Sequence, residues 1–163
     1  MDEDTVEKKQ TQRALNKAYF FLKFRPRSEK EVRDYLVKKS ESSRWPPSVI
    51  ELAIASLKES KYVDDAEFVR WFVEQRSSGK PKSTFALMHE LQKFGIYKEV
   101  AQIYFQENPI QEEELADKAL LRKWSRFQHL NKQERFKKAV AFLSARGFSF
   151  DLIKKSIEKL ENT

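Results

Sequence analysis

Three segments of the chain end in the same way. Glu90-Leu91-Gln92-Lys93-Phe94-Gly95-Ile96 recurs as Phe142-Leu143-Ser144-Ala145-Arg146-Gly147-Phe148, sharing Leu-x-x-x-Gly and a following apolar residue. A weaker copy, Tyr35-Leu36-Val37-Lys38-Lys39-Ser40, has serine in the glycine place. Leu36, Leu91 and Leu143 therefore recur at a spacing of roughly 50 residues, the length of one helical unit used three times. A chain of this kind builds its core by stacking neighbouring units, so its function resides in the surface of the array.

Helix starts are marked throughout. Ser28-x-x-Glu31, Ser48-x-x-Glu51, Asp64-x-x-Glu67 and Asn131-x-x-Glu134 all have capping-box form. In that form the first side chain accepts from an orphan backbone N–H and the acid reaches back. Pro26, Pro46-Pro47, Pro81 and Asn108-Pro109 punctuate the gaps. Gly95 and Gly147 suit the left-handed position just past a helix end. These signals predict nine helices, over 5–24, 28–40, 47–60, 65–77, 83–94, 97–107, 111–127, 131–146 and 150–161. Shared faces such as Ile50, Ile54, Leu57 and Ile153, Ile157, Leu160 support them. With 3 Gly and 5 Pro in 163 residues, few tight turns are available for an all-β design. The fold class is all-α: three tandem three-helix, helix-turn-helix-like repeats, as modules 1–60, 61–109 and 110–163. Thirteen phenylalanines supply a core for them.

Residues with catalytic chemistry are sparse. There is no cysteine, which excludes disulfides, thiol nucleophiles and cysteine-held zinc and fits a reducing compartment. Asp64-Asp65 lacks the further ligands a metal pair needs, and Asp64 with Glu67 reads better as a helix cap. His89 and His129 fall on separate predicted helices. No serine sits in a G-x-S-x-G elbow, and Ser78-Gly79-Lys80-Pro81 lacks the phosphate-loop pattern. An enzyme is disfavoured, with no catalytic residue, cofactor or metal expected. Trp71 and Trp124 lie in apolar helical windows and read as packing. Trp45, before Pro46-Pro47, either binds or covers a helix end. The acidic start lacks a secretory pattern, and the longest apolar run, Ala18 to Leu22, is too short for a bilayer. A cytoplasmic location without membrane contact is expected.

Charge supplies the positive signal. The formal net charge is +7, but it is unevenly placed. Between Lys8 and Lys39 there are 11 basic and 3 acidic residues, and between Lys118 and Lys138 there are 8 and 1. Residues 61–109 carry 7 of each and cancel. Two basic stripes flanking a neutral middle fit a polyanion; solvated helix faces explain either stripe alone equally well. The candidates are Arg13 and Lys17 at i, i+4, and Lys23, Arg25 and Arg27 at a helix exit. Lys118, Arg122 and Arg126 line one helix face with Lys123 beside them, and Lys132, Arg135 and Lys138 follow on the next helix. Such residues give affinity through phosphates or acidic surfaces and carry little sequence information.

The middle third, Tyr62-Val63-Asp64-Asp65-Ala66-Glu67-Phe68-Val69 through Arg76 and then Glu90-Leu91-Gln92-Lys93-Phe94-Gly95-Ile96, resembles the RecX family of recombination regulators. Ala18-Tyr19-Phe20-Phe21-Leu22 with Arg27-Ser28-Glu29-Lys30-Glu31-Val32 is similar to that family's N-terminal region. Phe142-Leu143-Ser144-Ala145-Arg146-Gly147-Phe148-Ser149 is similar to its C-terminal one. Two departures stand out. Gly79-Lys80-Pro81-Lys82-Ser83-Thr84-Phe85-Ala86 replaces a glycine-rich link bearing an arginine, where Lys80 and Lys82 restore charge but not a bidentate fork. Phe94 takes a place where relatives have lysine. The resemblance implies an elongated, curved array that binds the RecA recombinase filament and down-regulates its ATPase and strand exchange in DNA repair and the SOS response. It implies a monomer, with weak, largely non-specific contact to single- and double-stranded DNA. The alternative is a helix-turn-helix module that binds DNA without recombinase; an adaptor for an acidic protein is a third reading.

Overall fold

The computed structural model describes residues 2–163. Among them are nine helices and no strand: α1 Glu3–Leu22, α2 Glu29–Ser43, α3 Pro47–Glu59, α4 Asp65–Ser77, α5 Thr84–Lys93, α6 Lys98–Glu107, α7 Glu112–Phe127, α8 Lys132–Ser144 and α9 Phe150–Glu161. Their ends agree with the sequence expectations to within a turn. No helix of the described residues is long and apolar enough to cross a membrane.

Most of the expected caps form. Ser28 Oγ accepts from Glu31 N–H at 3.2 Å while Glu31 accepts from Ser28 N–H at 3.0 Å, a complete capping box at α2. Asp64 accepts from Ala66 and Glu67 N–H at 3.0 and 3.3 Å, and Asn131 from Glu134 N–H at 2.9 Å. Ser48 is a correction. It lies inside α3, whose N-cap is Pro46 and whose first residue is Pro47. Proline at the first helical position needs no N–H partner and presets φ, so the helix begins before the serine.

The two glycines close their helices as their spacing predicts. Gly95 has φ +75° and Gly147 φ +83°. Gly95 N–H reaches Gln92 C=O at 2.9 Å and Ile96 N–H reaches Leu91 C=O at 3.2 Å; Gly147 and Phe148 repeat this onto Ser144 and Leu143 at 2.9 and 3.4 Å. This double closure satisfies the carbonyls a helix end leaves open. Leu36, Leu91 and Leu143 are all fully buried. The third copy behaves differently. Ser40 does not stop α2, which runs to Ser43 and ends on Arg44 in the left-handed region at φ 53°. Without a glycine at position 40 nothing favours a left-handed stop there, and the Cβ penalty is met instead at Arg44. A closure of the glycine type also ends α3 at Lys61, φ 59°, with Tyr62 N–H on Leu57 C=O at 2.9 Å.

The chain packs into two compact units, Met1–Trp71 with Leu91–Ala101, and Phe72–Glu90 with Gln102–Thr163. In the first, α1, α2 and α3 surround a core of Ala14, Leu15, Ala18, Val32, Leu36, Trp45, Val49, Ile50, Ala53, Ile54, Leu57 and Val63. In the second, α7, α8 and α9 do the same with Ala116, Ala119, Leu120, Trp124, Ala139, Leu143, Phe148, Ile153 and Ile157. Burying one such Leu or Ile contributes about 1.5–3 kcal/mol. Helices α4 to α6 give segments to both units.

Each unit contains the same joint. In the first, Ser28 Oγ donates to Phe94 C=O at 2.7 Å, and the Asp65 carboxylate that opens α4 accepts from Glu29 N–H at 2.9 Å. In the second, Ser83 N–H donates to Arg146 C=O at 3.0 Å, and the Glu112 carboxylate that opens α7 accepts from Thr84 N–H at 2.7 Å. A serine before one helix thus meets the residue preceding a stop glycine, while an acid from a third helix caps the same N-terminus. Both serines are buried, Ser28 at 0% and Ser83 at 1% exposure.

Candidate nucleic-acid interface

The cations singled out in the sequence fall into two sets: those locked by carboxylates and rings, and those left facing solvent. Arg25 and Arg27 are locked. Arg25 donates to Glu31 at 2.5 Å and to Pro26 C=O at 2.8 Å, with its guanidinium 5.4 Å from the Trp71 ring centre. Arg27 lies 4.0 Å over Phe21 and 3.8 Å from Glu31. Burial, and then the charge of Arg25, lower the Arg27 pKa. Both arginines therefore brace the capping box that starts α2. Lys23 is exposed beside them.

Within the second unit Arg76 pairs with Glu90 at 3.0 Å and lies 4.8 Å over Phe72, while Lys82 is ion-paired to the same carboxylate. Burial alone raises the Glu90 pKa, but Lys82 and Arg76 outweigh it and hold the carboxyl below its ordinary range. Lys80 is exposed. Arg135 is bound through two nitrogens to Glu161 at 2.7 and 2.8 Å, donates to Leu130 C=O at 3.1 Å and lies 5.5 Å from the Trp124 ring centre. Of the α8 set, only Lys132 and Lys138 are exposed.

The remaining α7 cations border a groove of about 250 Å³. Lys118, Arg122 and Lys123 line one side, Ser77, Ser78 and Gly79 another, and Phe142 with Arg146 a third. No acidic residue lines it, although Lys118 is paired with Glu114 at 2.6 Å. Arg126 is exposed but lies outside the lining. Arg146 was not among the expected cations. Its guanidinium lies 4.4 Å over the Phe142 ring, and its pKa is lowered by burial first and by Arg122 second. The sequence placed Arg146 inside the repeated helix ending, where it read as structural. The closeness of Arg122 arises only when α8 packs on α7. Cations converging without a carboxylate among them favour an anion, and an arginine fork on a ring face is prepared to receive phosphate oxygens.

A second basic hollow lies within the first unit. Arg13, Asn16, Lys17 and Phe20 of α1 face Tyr35, Lys39 and Ser43 of α2, with Trp45 below. Trp45 is 8% exposed, belongs to the core of the first unit and also borders the hollow. Trp71 is half-buried and Trp124 buried. His89 and His129 are exposed, and the described residues contain no cluster of three metal-ligating side chains.

Comparison with known proteins gives a consistent result. A family model described as the first three-helix domain of RecX matches residues 14–57, and one described as the third three-helix domain matches residues 111–157. The regulatory protein RecX of Streptococcus equi subsp. zooepidemicus is 32% identical over 146 residues, covering 89% of this chain and 54% of that protein. That of Bacillus subtilis is 32% identical over 156 residues, covering 93% and 56%. The chain spans about half the length of the curated relatives it matches. The crystal structure of RecX from Lactobacillus salivarius shares the fold at a TM-score of 0.81 and 21% identity, over 95% of this chain and 99% of that one.

Proposed function

The chain belongs to the RecX family, and on that premise we propose that it is a regulatory protein that binds the RecA–DNA filament and lowers its ATP hydrolysis and strand exchange. The observation that carries this reading is the groove bordered by Lys118, Arg122, Lys123 and Arg146, cationic and free of acidic residues in its lining. A filament wound on DNA offers it a continuous row of phosphates or acidic side chains, and Arg13, Lys17 and Lys39 supply a second contact. Regulation then follows from occupancy: a protein seated on the filament opposes the subunit rearrangements that hydrolysis and strand exchange require. The protein acts as a monomer in the cytoplasm, without cofactor or catalysis of its own, and touches DNA weakly and without sequence preference.

The test is the recombinase's DNA-dependent ATPase with added protein. Hydrolysis falls with increasing protein, and an unchanged rate at saturation overturns the proposal. A shift assay on duplex DNA without recombinase separates the helix-turn-helix reading, which requires sequence-selective binding at stated salt.

A further inference from the structure

Two hydroxyls stand on the rim of the α7–α8 groove beside its cations. Ser77 is the last residue of α4 and Ser78 the first beyond it, and both line the groove together with Arg122 and Arg146. Both serines are exposed. Ser77 Oγ donates to Glu74 C=O and Ser78 Oγ to Gln75 C=O, each at 2.9 Å. A hydroxyl oxygen that only donates keeps its lone pairs for a new bond. The stretch that follows is open. Residues 78–83 form no helix, and a Cβ added at Gly79 would meet nothing closer than 3.9 Å. From Gln75 to His89 the chain has no acidic residue, while Arg76, Lys80 and Lys82 are basic. A modifying enzyme must draw its target residue, extended, into its own active site. Ser78 meets that requirement. Ser77 is held in α4, and Ser83, at the far end of the link, is 1% exposed.

The groove beside Ser78 is short of negative charge. Its lining holds Lys118, Arg122, Lys123 and Arg146 without an acid, and of these Lys118 is paired outside it with Glu114. Arg146 is lowered in pKa first by burial and then by Arg122, so an anion placed there relieves the repulsion between two guanidiniums. A phosphoserine carries a charge of about −1.5 to −2 and three acceptor oxygens. The C-terminal pole of α4 opposes it with only about half an elementary charge. The cations outweigh that pole.

We propose that Ser78 is a phosphorylation site whose phosphate folds into the α7–α8 groove, is held there by Arg122 and Arg146, and closes the groove to the filament. In the step itself, Ser78 Oγ attacks the γ-phosphorus of ATP bound to a serine kinase. The new O–P bond replaces the bond to ADP, which leaves, and the hydroxyl proton passes to the kinase's base. The tethered phosphate then occupies the cations with which the groove takes an external anion, so modification releases the protein from its partner. The release rests on the regulatory reading; the seating of the phosphate in the groove does not.

The experiment uses the full chain with phosphoserine incorporated at position 78 and follows its phosphorus NMR signal against pH, without recombinase. The second ionisation, near pH 6 in a free chain, falls by about one unit in the folded protein. It returns to the free value in urea, and in the folded double variant Arg122→Gln with Arg146→Gln. An unshifted titration, or a shift that survives the double variant, overturns the proposal. So does a lowered thermal midpoint with an unshifted signal, which assigns the phosphate to repulsion at the end of α4. In the recombinase ATPase assay the phosphorylated chain is needed at about tenfold higher concentration for the same inhibition, and phosphatase restores the original value. Equal inhibition by the two forms overturns the release. Mass spectrometry of the chain purified from growing and from DNA-damaged cells finds phosphate on Ser78; phosphate on Ser77 alone, or none under both conditions, overturns the assignment. If the unmodified chain leaves the ATPase unchanged, the regulatory reading fails, and the phosphorus titration still decides whether the groove holds the phosphate.

Discussion

At the scale of single residues, the stop glycines are set by two independent constraints. Gly147 combines φ +83° with a close approach: a Cβ there would lie 2.5 Å from Ser83 Oγ and 2.6 Å from Ala86 Cβ. Gly147→Ala is expected to cost about 2 kcal/mol or more, from the left-handed backbone and the clash together. Gly79→Ala is the control, since its added Cβ would come no nearer than 3.9 Å to any neighbour. It should lie within about 0.5 kcal/mol of wild type in urea denaturation. Equal losses for the two variants would refute this account of the closure. The φ requirement was legible in the Leu-x-x-x-Gly spacing, because a residue just past a helix end has few backbone options. The close approach was not, because Ser83 lies far away in sequence. Arg146 escaped notice for the same reason: its partners Phe142 and Arg122 become a site only through the packing of α8 on α7.

At the scale of elements, the two joints concentrate the polar interactions that fix one helix start against a distant helix end. Ser28→Ala removes the cap on α2 and the hydrogen bond to Phe94 together. It is expected to lower stability by about 2 kcal/mol, measured by the shift in urea midpoint. A shift below a few tenths would mean that the joint is incidental. Glu90 supplies a pH test. Its folded pKa is depressed relative to the unfolded chain, so its stabilising contribution is complete above the ordinary glutamate range and disappears as pH falls through the depressed value. The stability gap between wild type and Glu90→Gln should therefore narrow on acidification from neutrality. A gap independent of pH refutes the pairing with Arg76 and Lys82. Helix identity was legible along the whole chain because apolar spacing and caps are local. Ser40 and Ser48 misled because a helix end is a competition, in which no glycine marks position 40 as the left-handed stop that Arg44 supplies, and Pro47 starts α3 before Ser48 can.

At the scale of the whole molecule, the basic residues divide into structural and available ones, and this ranks the proposed contacts. Arg122 lines the α7–α8 groove and Arg126 does not. In co-sedimentation with recombinase–single-stranded DNA filaments, Arg122→Glu should weaken binding more than Arg126→Glu, with the difference shrinking as salt rises. Equal behaviour of the two would move the contact away from the groove. The sequence by itself determined that the chain is all-helical, where most of its helices end, which leucines anchor the core and that two stretches are basic. Periodicity, caps and charge counts are properties of neighbouring residues, so they survive without a fold. Only the tertiary structure decided which cations Glu31, Glu90 and Glu161 hold in place and which converge without an acid among them. That outcome depends on distances between residues remote along the chain, which packing alone sets.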